Sequence, residues 1–311
     1  MKKQIILATP RGFCAGVDRA IEIVEKALTQ YGAPIYVRHE VVHNKFVVDN
    51  LRTRGAVFIE DLEDVPENSI LVYSAHGVPL SVQEEAKRKN LKMIFDATCP
   101  LVSKVHNEIK NLYRNEYQII MIGHKGHPEV VGTMGQIDGK IFLVETIEDI
   151  KLLPISFDCK KVAVVTQTTL SIDETKLIIE ELKRKYIYLR LPKNEDICYA
   201  TQNRQDAVKA IAKICDILIV IGSKNSSNSN RLKELAENLG VKSYLIDFAD
   251  EISPSWLEGK FSIGVTAGAS APEILVEEVV NYLMKYDFCE IKNFPTIEEK
   301  MVFALPKELR F

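Results

Sequence analysis

The chain has 311 residues, 46% of them hydrophobic and 27% charged, with 40 basic against 43 acidic residues and a net charge of −3. That is the balance of a soluble globular protein with more than one core; it excludes a broad nucleic-acid or acidic-membrane footprint and leaves room for one local basic pocket. No apolar run approaches the roughly 20 residues of a membrane span, and six cysteines are too sparse for a disulfide scaffold, so a cytoplasmic protein with metal or redox use for cysteine is expected.

The opening "MKKQIILATPRG" carries an apolar run of about five residues, too short for a signal-peptide core, and reads as a first strand. Cys14 follows it, and then a helical pattern with Ala20, Ile21, Val24 and Ala27 on one face. The next strand, "PIYVRHEVV", runs into His39 and His43; "AVFIEDLEDV" is a strand with an acidic turn; "ILVYSAHGVP" is a strand ending at His76, followed by helical "SVQEEAKRK". With "MIFDATCPLVSKVH" the pattern starts again: a short apolar run stops at Cys99, and Pro100 suits the first position of a helix. The second pass continues through "YQIIMIG" into His124, His127 and Glu129, then "IFLVETIEDI", then "VAVVTQTTLS" with Thr166 and Thr168 at its end, then helical "IDETKLIIEELKRK". The third has a weak leading strand before Cys198, then "DILIVIG" into the loop Ser223 to Asn230, "SYLIDFADEI", "SIGVTAGASAP" with Thr266 and Ser270, and helical "APEILVEEVVNYLMK".

Length alone suggests about two domains, but this self-similarity counts three. The units are expected at 1–94, 95–193 and 194–284, with a C-terminal tail at 285–311 whose last segment, 300–311, reaches back across a domain. Apolar strands alternating with amphipathic helices predict α/β units with mostly parallel sheets. Three similar small domains in pseudo-threefold arrangement would bring their strand ends to one central site, and ligands of such sheets bind at the carboxyl ends of the strands.

Nearly every chemically loaded residue falls at those ends. A cysteine at a helix N-terminus is favoured as thiolate. Three soft sulfur ligands select an iron–sulfur cluster, Zn or Cu(I), and three on a [4Fe–4S] cluster leave one iron open to a substrate oxygen. The spacing lacks a CxxC, and buried packing cysteines are the plain alternative; the threefold repeat favours ligation for Cys14, Cys99 and Cys198. Cys159, Cys215 and Cys289 stand out of register and read as ordinary packing or surface residues. The histidines, hydroxyls and carboxamide suit an anion such as a diphosphate, although any one histidine taken alone reads as a core or surface residue. "NSSNSN" by itself resembles a flexible linker, but its place between "ILIVIG" and "RLKELAEN" makes it a phosphate-gripping loop and helix cap. Glu129 is the one carboxylate among the strand-end histidines. Desolvation and neighbouring anions would raise its pKa and suit it to general-acid work; otherwise it is a helix-end charge. Thr168 would relay that proton or orient a substrate hydroxyl, or else serve as a β-branched strand end.

"RGFCAGVDRAI", "HEVVHN", "SAHGVP", "DATCPLV", "GHPEVVGTMGQ", "TQTTLS", "DICYATQNRQ", "GSKNSSNSNRL" and "GVTAGASAPE" closely resemble the 4-hydroxy-3-methylbut-2-enyl diphosphate reductase family, in order along nearly the whole chain, from about residue 3 to 310. The resemblance implies reductive removal of the allylic C4 hydroxyl as water, with two electrons and two protons, giving isopentenyl and dimethylallyl diphosphate in the non-mevalonate isoprenoid pathway. It implies a [4Fe–4S] cluster on Cys14, Cys99 and Cys198, and a diphosphate held by His43, His76, His127, Ser226, Ser227, Asn228 and Ser270. Glu129 would be the proton donor, Thr168 would contact the substrate near its C4 oxygen, and the protein would close around the substrate. A small ferredoxin or flavodoxin is the implied electron source, with no nucleic-acid or membrane partner. The residues alone reach a three-domain redox or Lewis-acid site with an anion pocket. At that level a quinolinate-synthase-like dehydratase with three cysteines and a zinc hydrolase with His and Cys ligands stay open. A non-catalytic RNA-binding protein is weighed against by the near-neutral charge.

Overall fold

The structure, a computed structural model, describes residues 2–156, 159–192 and 195–310. In chain order the elements are β1 (Lys3–Thr9), α1 (Ala15–Tyr31), β2 (Ile35–Arg38), α2 (Lys45–Thr53), β3 (Ala56–Ile59), β4 (Ile70–Tyr73), α3 (Leu80–Arg88), β5 (Met93–Asp96) and α4 (Pro100–Arg114). They continue with β6 (Gln118–Ile122), α5 (Pro128–Met134), β7 (Ile141–Val144), α6 (Ile147–Lys151), β8 (Val162–Thr166), α7 (Ile172–Lys185) and β9 (Leu189–Arg190). The last are α8 (Tyr199–Ala212), β10 (Ile217–Ile221), α9 (Ser227–Asn238), β11 (Lys242–Ile246), β12 (Ser262–Ala267), α10 (Glu273–Met284) and β13 (Phe288–Pro295).

The strands make three sheets, ordered β3-β2-β4-β5, β7-β6-β8-β9 and β11-β10-β12-β1-β13, and every pairing in them is parallel. The sequence accounts for this. Strands β4, β8, β10 and β12 are buried along their whole length; β4, β8 and β10 accordingly read as nearly unbroken apolar runs, as strands covered on both faces do. On β2 the alternation is visible, with Ile35 and Val37 buried and Tyr36 and Arg38 partly exposed. The three α/β sheets expected from the repeats are therefore present. Residues 1–18, 42–50 and 199–302 form one compact unit, which carries the five-stranded sheet; residues 19–41, 51–198 and 303–311 form another, which carries both four-stranded sheets.

Strand pairing is one element out of phase with the sequence repeat. The strand before each cysteine pairs with a strand of the preceding sheet: β5 lies on β4, β9 on β8, and β1 on β12. A repeat read along a line has no marked starting point, and hydrogen bonding sets the phase. The expected boundary at 94 cuts through β5, and the one at 193/194 lies outside the described residues. The segment expected as a tail from 285 contains β13, which runs beside β1. It is exposed after Phe288, and Glu290 and Lys292 guard it as charges on a sheet edge. That mixed pattern hides a strand from periodicity. Near the C-terminus Arg19 Nε donates to Ala304 O at 2.8 Å and Leu309 is fully buried, so this segment is packed in place. Among the described residues no helix is long and apolar enough to cross a membrane.

Candidate active site

The three repeated cysteines share one local geometry. Cys14 and Cys198 immediately precede α1 and α8, and Cys99 is the N-cap of α4 with Pro100 behind it. Each backbone N–H donates to a carbonyl two residues beyond the end of the neighbouring strand. Cys14 bonds Ala269 O at 3.3 Å, Cys99 bonds Ala75 O at 3.0 Å, and Cys198 bonds Thr168 O at 3.0 Å. The carbonyls of Ala269 and Ala75 stand one residue before Ser270 and His76, and that of Thr168 belongs to a site candidate itself. The link between each thiol and the chemistry beside it is thus a backbone bond, repeated in all three sheets. None of the six cysteines is in a disulfide. Burial pushes the Cys14 thiol up, against the opposing pull of the Arg204 guanidinium and the N–H groups of Gly16 and Val17.

In the unit holding the two four-stranded sheets, Glu129 sits on the first turn of α5 and is 3% exposed. Thr168 N donates to its Oε1 at 2.6 Å, and Thr168 Oγ1 to its Oε2 at 2.8 Å. Burial pushes the Glu129 carboxyl up to about 7; the two Thr168 bonds pull it back, and the Asp196 carboxylate adds a further push. His127 caps α5: its Nδ1 accepts from Glu129 N at 3.2 Å, which leaves the ring proton on Nε2 when the imidazole is neutral. The His76 ring stands edge-on to His127, centroids 5.8 Å apart. Thr168, through its carbonyl, also holds Cys198. Glu129, Thr168, His76, His127, Cys99 and Cys198 thus form one connected constellation. His39, whose Nδ1 lies 2.8 Å from Glu60 Oε1, adds a third ring 6.0 Å from His76. His124 lies nearer the surface, 3.7 Å from Glu145.

In the other unit, His43 and Ser226 stand five residues past the ends of β2 and β10, the offset His127 has from β6. Ser270 Oγ donates to His43 O at 2.9 Å. Ser226 caps α9, accepting from Ser229 N at 3.3 Å, and Ser227 is the first residue of that helix. Asn228, on the first turn, is 4% exposed, and neither its amide nitrogen nor its amide oxygen has a partner among the described residues. A buried carboxamide left with four unmet hydrogen-bonding positions is costly in a finished core and suits a polar ligand.

Two contributors escaped sequence reasoning, Asp196 and Arg204, and one histidine, His106, turns out to lie in the core instead of the site. Asp196 is buried and accepts from Thr166 N at 3.1 Å, and its charge bears on Glu129; its one signal was its place two residues before Cys198. Arg204, fully buried, donates to Gly12 O at 2.7 Å and Phe13 O at 3.1 Å, just ahead of Cys14. His106, on α4, is 7% exposed, and burial lowers its pKa to about 4, so it is a neutral core imidazole at ordinary pH.

A buried carboxyl poised near neutrality, hydrogen-bonded to the threonine that anchors a cysteine at a parallel-sheet end, is the equipment of an α/β enzyme rather than a binding module. The comparisons agree. The family described as LytB protein matches residues 5–284. A 4-hydroxy-3-methylbut-2-enyl diphosphate reductase of Chromobacterium violaceum is 58% identical over 310 residues, covering 100% of this chain and 99% of that protein. One of Neisseria meningitidis serogroup C is 59% identical over 309 residues, covering 99% and 95%. The solved structure of the E-1-hydroxy-2-methyl-but-2-enyl-4-diphosphate reductase from Plasmodium falciparum matches with a TM-score of 0.96 at 40% identity, covering 99% of this chain and 97% of that one. A solved (E)-4-hydroxy-3-methyl-but-2-enyl diphosphate reductase, described as the terminal enzyme of the non-mevalonate pathway, matches with a TM-score of 0.65 at 35% identity, covering 91% and 99%. The chain belongs to the LytB family and is a reductase.

Proposed function

We propose that this chain reduces 4-hydroxy-3-methylbut-2-enyl diphosphate, with the C4 hydroxyl leaving as water. Hydrogen is added at either end of the allyl unit, at C4 to give dimethylallyl diphosphate or at C2, with the double bond shifted, to give isopentenyl diphosphate. Two electrons and two protons enter and one water leaves. The observation that carries the reading is the buried Glu129–Thr168 pair, tied by the Thr168 carbonyl to Cys198. A carboxyl with a pKa near 7 is half protonated at neutral pH, as the donor to a departing hydroxyl needs to be. The names of the relatives supply the substrate.

Cys14, Cys99 and Cys198 would hold a [4Fe–4S] cluster. They suit it in being soft donors at helix N-termini, each set by the same backbone bond. Among the described residues no three His, Cys, Asp or Glu gather at one ion position; a cluster takes one thiolate per iron, so its ligands need not meet at one point. When bound, the cluster supplies electrons and a Lewis-acidic position, refilled in the cytoplasm by a small ferredoxin- or flavodoxin-type carrier. The chain's own groups do the rest. His43, His76, His127, Ser226, Ser227, Asn228 and Ser270 hold the diphosphate, Thr168 orients the C4 oxygen, and Glu129 passes it a proton. Burial of Glu129 and Thr168 keeps water from the reacting carbon.

Anaerobic turnover of this substrate by cluster-reconstituted protein, with a reduced viologen dye as donor, tests the reading. Dye oxidation with release of isopentenyl diphosphate is expected; no oxidation in a sample of correct iron and sulfide content refutes it and favours a dehydratase that needs no external electrons. The Cys14→Ala protein is expected to lose most bound iron and sulfide, and an intact cluster there would overturn the ligand set. Asn228→Ala is expected to melt at the same temperature as the parent or above it, because it removes an unsatisfied buried amide worth about 1–3 kcal/mol. Its affinity for inorganic diphosphate, read by calorimetry, should fall about tenfold or more.

A further inference from the structure

The segment "GTMGQ" (132–136) stood out in the sequence, yet none of its residues has a role in the chemistry above. We infer that Gly132, Gly135 and Gln136 form a staple that sets the separation of His76 from His127, and that Gln136 is a positioning residue for binding the diphosphate end of the substrate; the inference rests on the function proposed above.

The staple joins the turn after β4 to helix α5 within one compact unit. Gln136 is 1% exposed, and its amide nitrogen donates to Val78 O and to Gly132 O, each at 2.8 Å. Leu80 N donates to Gly135 O at 2.8 Å, a second bond across the same seam. The two glycines let the backbones meet. A Cβ on Gly132 would stand 3.0 Å from the Gly77 carbonyl oxygen and 3.1 Å from its carbon. One on Gly135 would stand 2.5 Å from Pro79 Cβ. These are backbone or ring atoms that cannot swing aside. His76 directly precedes the turn that is held, and His127 caps the helix that holds it, so the two rings have their 5.8 Å separation because the seam is closed.

Glu129 rides on the same helix α5 as His127, but its carboxylate is anchored to Thr168, on the side of β8. The side of the seam that is free to move is the turn after β4 that carries His76. Opening the seam therefore shifts one anion-holding ring against another and leaves the proton donor in place. An interaction that serves the unreacting diphosphate equally in ground and transition states changes KM and spares kcat.

The test is Gln136→Met, which keeps length and apolar bulk and removes both donors, with Gly135→Ala as a second variant whose added methyl would meet Pro79 and force the seam apart. In the viologen assay Gln136→Met should raise KM about tenfold, with kcat within about threefold and an unchanged pH profile. Affinity for inorganic diphosphate, measured by calorimetry, should fall by a similar factor. Unchanged KM and diphosphate affinity, or a kcat loss at unchanged KM, would overturn the staple while the parent enzyme still turns over. Failure of the parent itself to turn over would sink the proposed function instead. If Gln136→Met does not fold, the same KM and affinity readings on Gly135→Ala decide.

Discussion

Glu129→Gln is expected to lose about a thousandfold or more of turnover while keeping the cluster spectrum and substrate binding. General-acid groups contribute about a hundred- to ten-thousandfold, and a carboxamide has the shape of the acid without its transferable proton. The Thr168 bonds survive in part, since Thr168 N can still donate to the amide oxygen. In the parent, the rate limb governed by this group should fall as pH rises through about 7, because the proposed donor role requires the acid form. The same burial has a stability signature. Its folded pKa lies above the unfolded value, so between about 4.5 and 7 the folded chain binds more protons than the unfolded one, and stability declines as pH rises through that window. The full cost, about 3 kcal/mol for a shift of this size, is present above 7 and absent below about 4.5. The Gln variant should therefore gain melting temperature over the parent at pH 8 and lose that gain at pH 5. Full activity in the variant would remove Glu129 from the mechanism. A melting difference independent of pH would mean that its charge is better solvated than its burial indicates.

What the sequence revealed was set by what repeats. The three cysteines, the parallel sheets and the strand-end polar residues were all legible, because parallel strands covered on both faces must be apolar and leave polar chemistry to their ends. Even the shared offset of His43, His127 and Ser226 from their strands was latent in the repeat. The phase of the sheets was not legible, since it depends on which strands exchange hydrogen bonds and not on their pattern. Nor was β13, an edge strand whose exposed face carries charge. Asp196, Arg204 and Gln136 were missed for another reason. Each acts on backbone atoms distant in sequence, Thr166 N, Gly12 O and Val78 O, and a side chain that serves another segment's backbone leaves no periodic or motif signal of its own. The exchange of one such bond for a motif is what makes "GTMGQ" and "TQNRQ" recognisable as strings and opaque as chemistry.

Arg204 is where that blindness matters most, and replacing it with leucine should have the largest effect on stability of any substitution considered. The guanidinium is fully buried. Nε and Nη2 donate to Gly12 O at 3.0 and 2.7 Å, Nη2 also to Phe13 O at 3.1 Å, and Nη1 to Ala200 O at 2.9 Å. Glu299 balances the charge, its carboxylate 3.0 Å from Nη1, and Asn203 Nδ2 donates to the same carboxylate at 2.9 Å. Arg204→Leu orphans the Gly12 and Phe13 carbonyls and leaves Glu299 without its cation. Breaking one side of a buried pair costs about 3–5 kcal/mol, a fall in melting temperature of about 10 °C for a chain of this size. Because those carbonyls stand just ahead of Cys14, one of the three cysteines proposed to hold the cluster, iron taken up on reconstitution should fall as well. Arg204→Lys should come between, keeping the charge and losing the planar fork. The double variant Arg204→Leu with Glu299→Leu separates the two roles. If charge imbalance dominates, the double variant recovers part of the melting temperature; iron content stays low regardless, because the carbonyls remain unheld. A double variant that recovers iron as well would mean that the Cys14 loop keeps its shape without the arginine, and that the buried guanidinium serves only to offset Glu299.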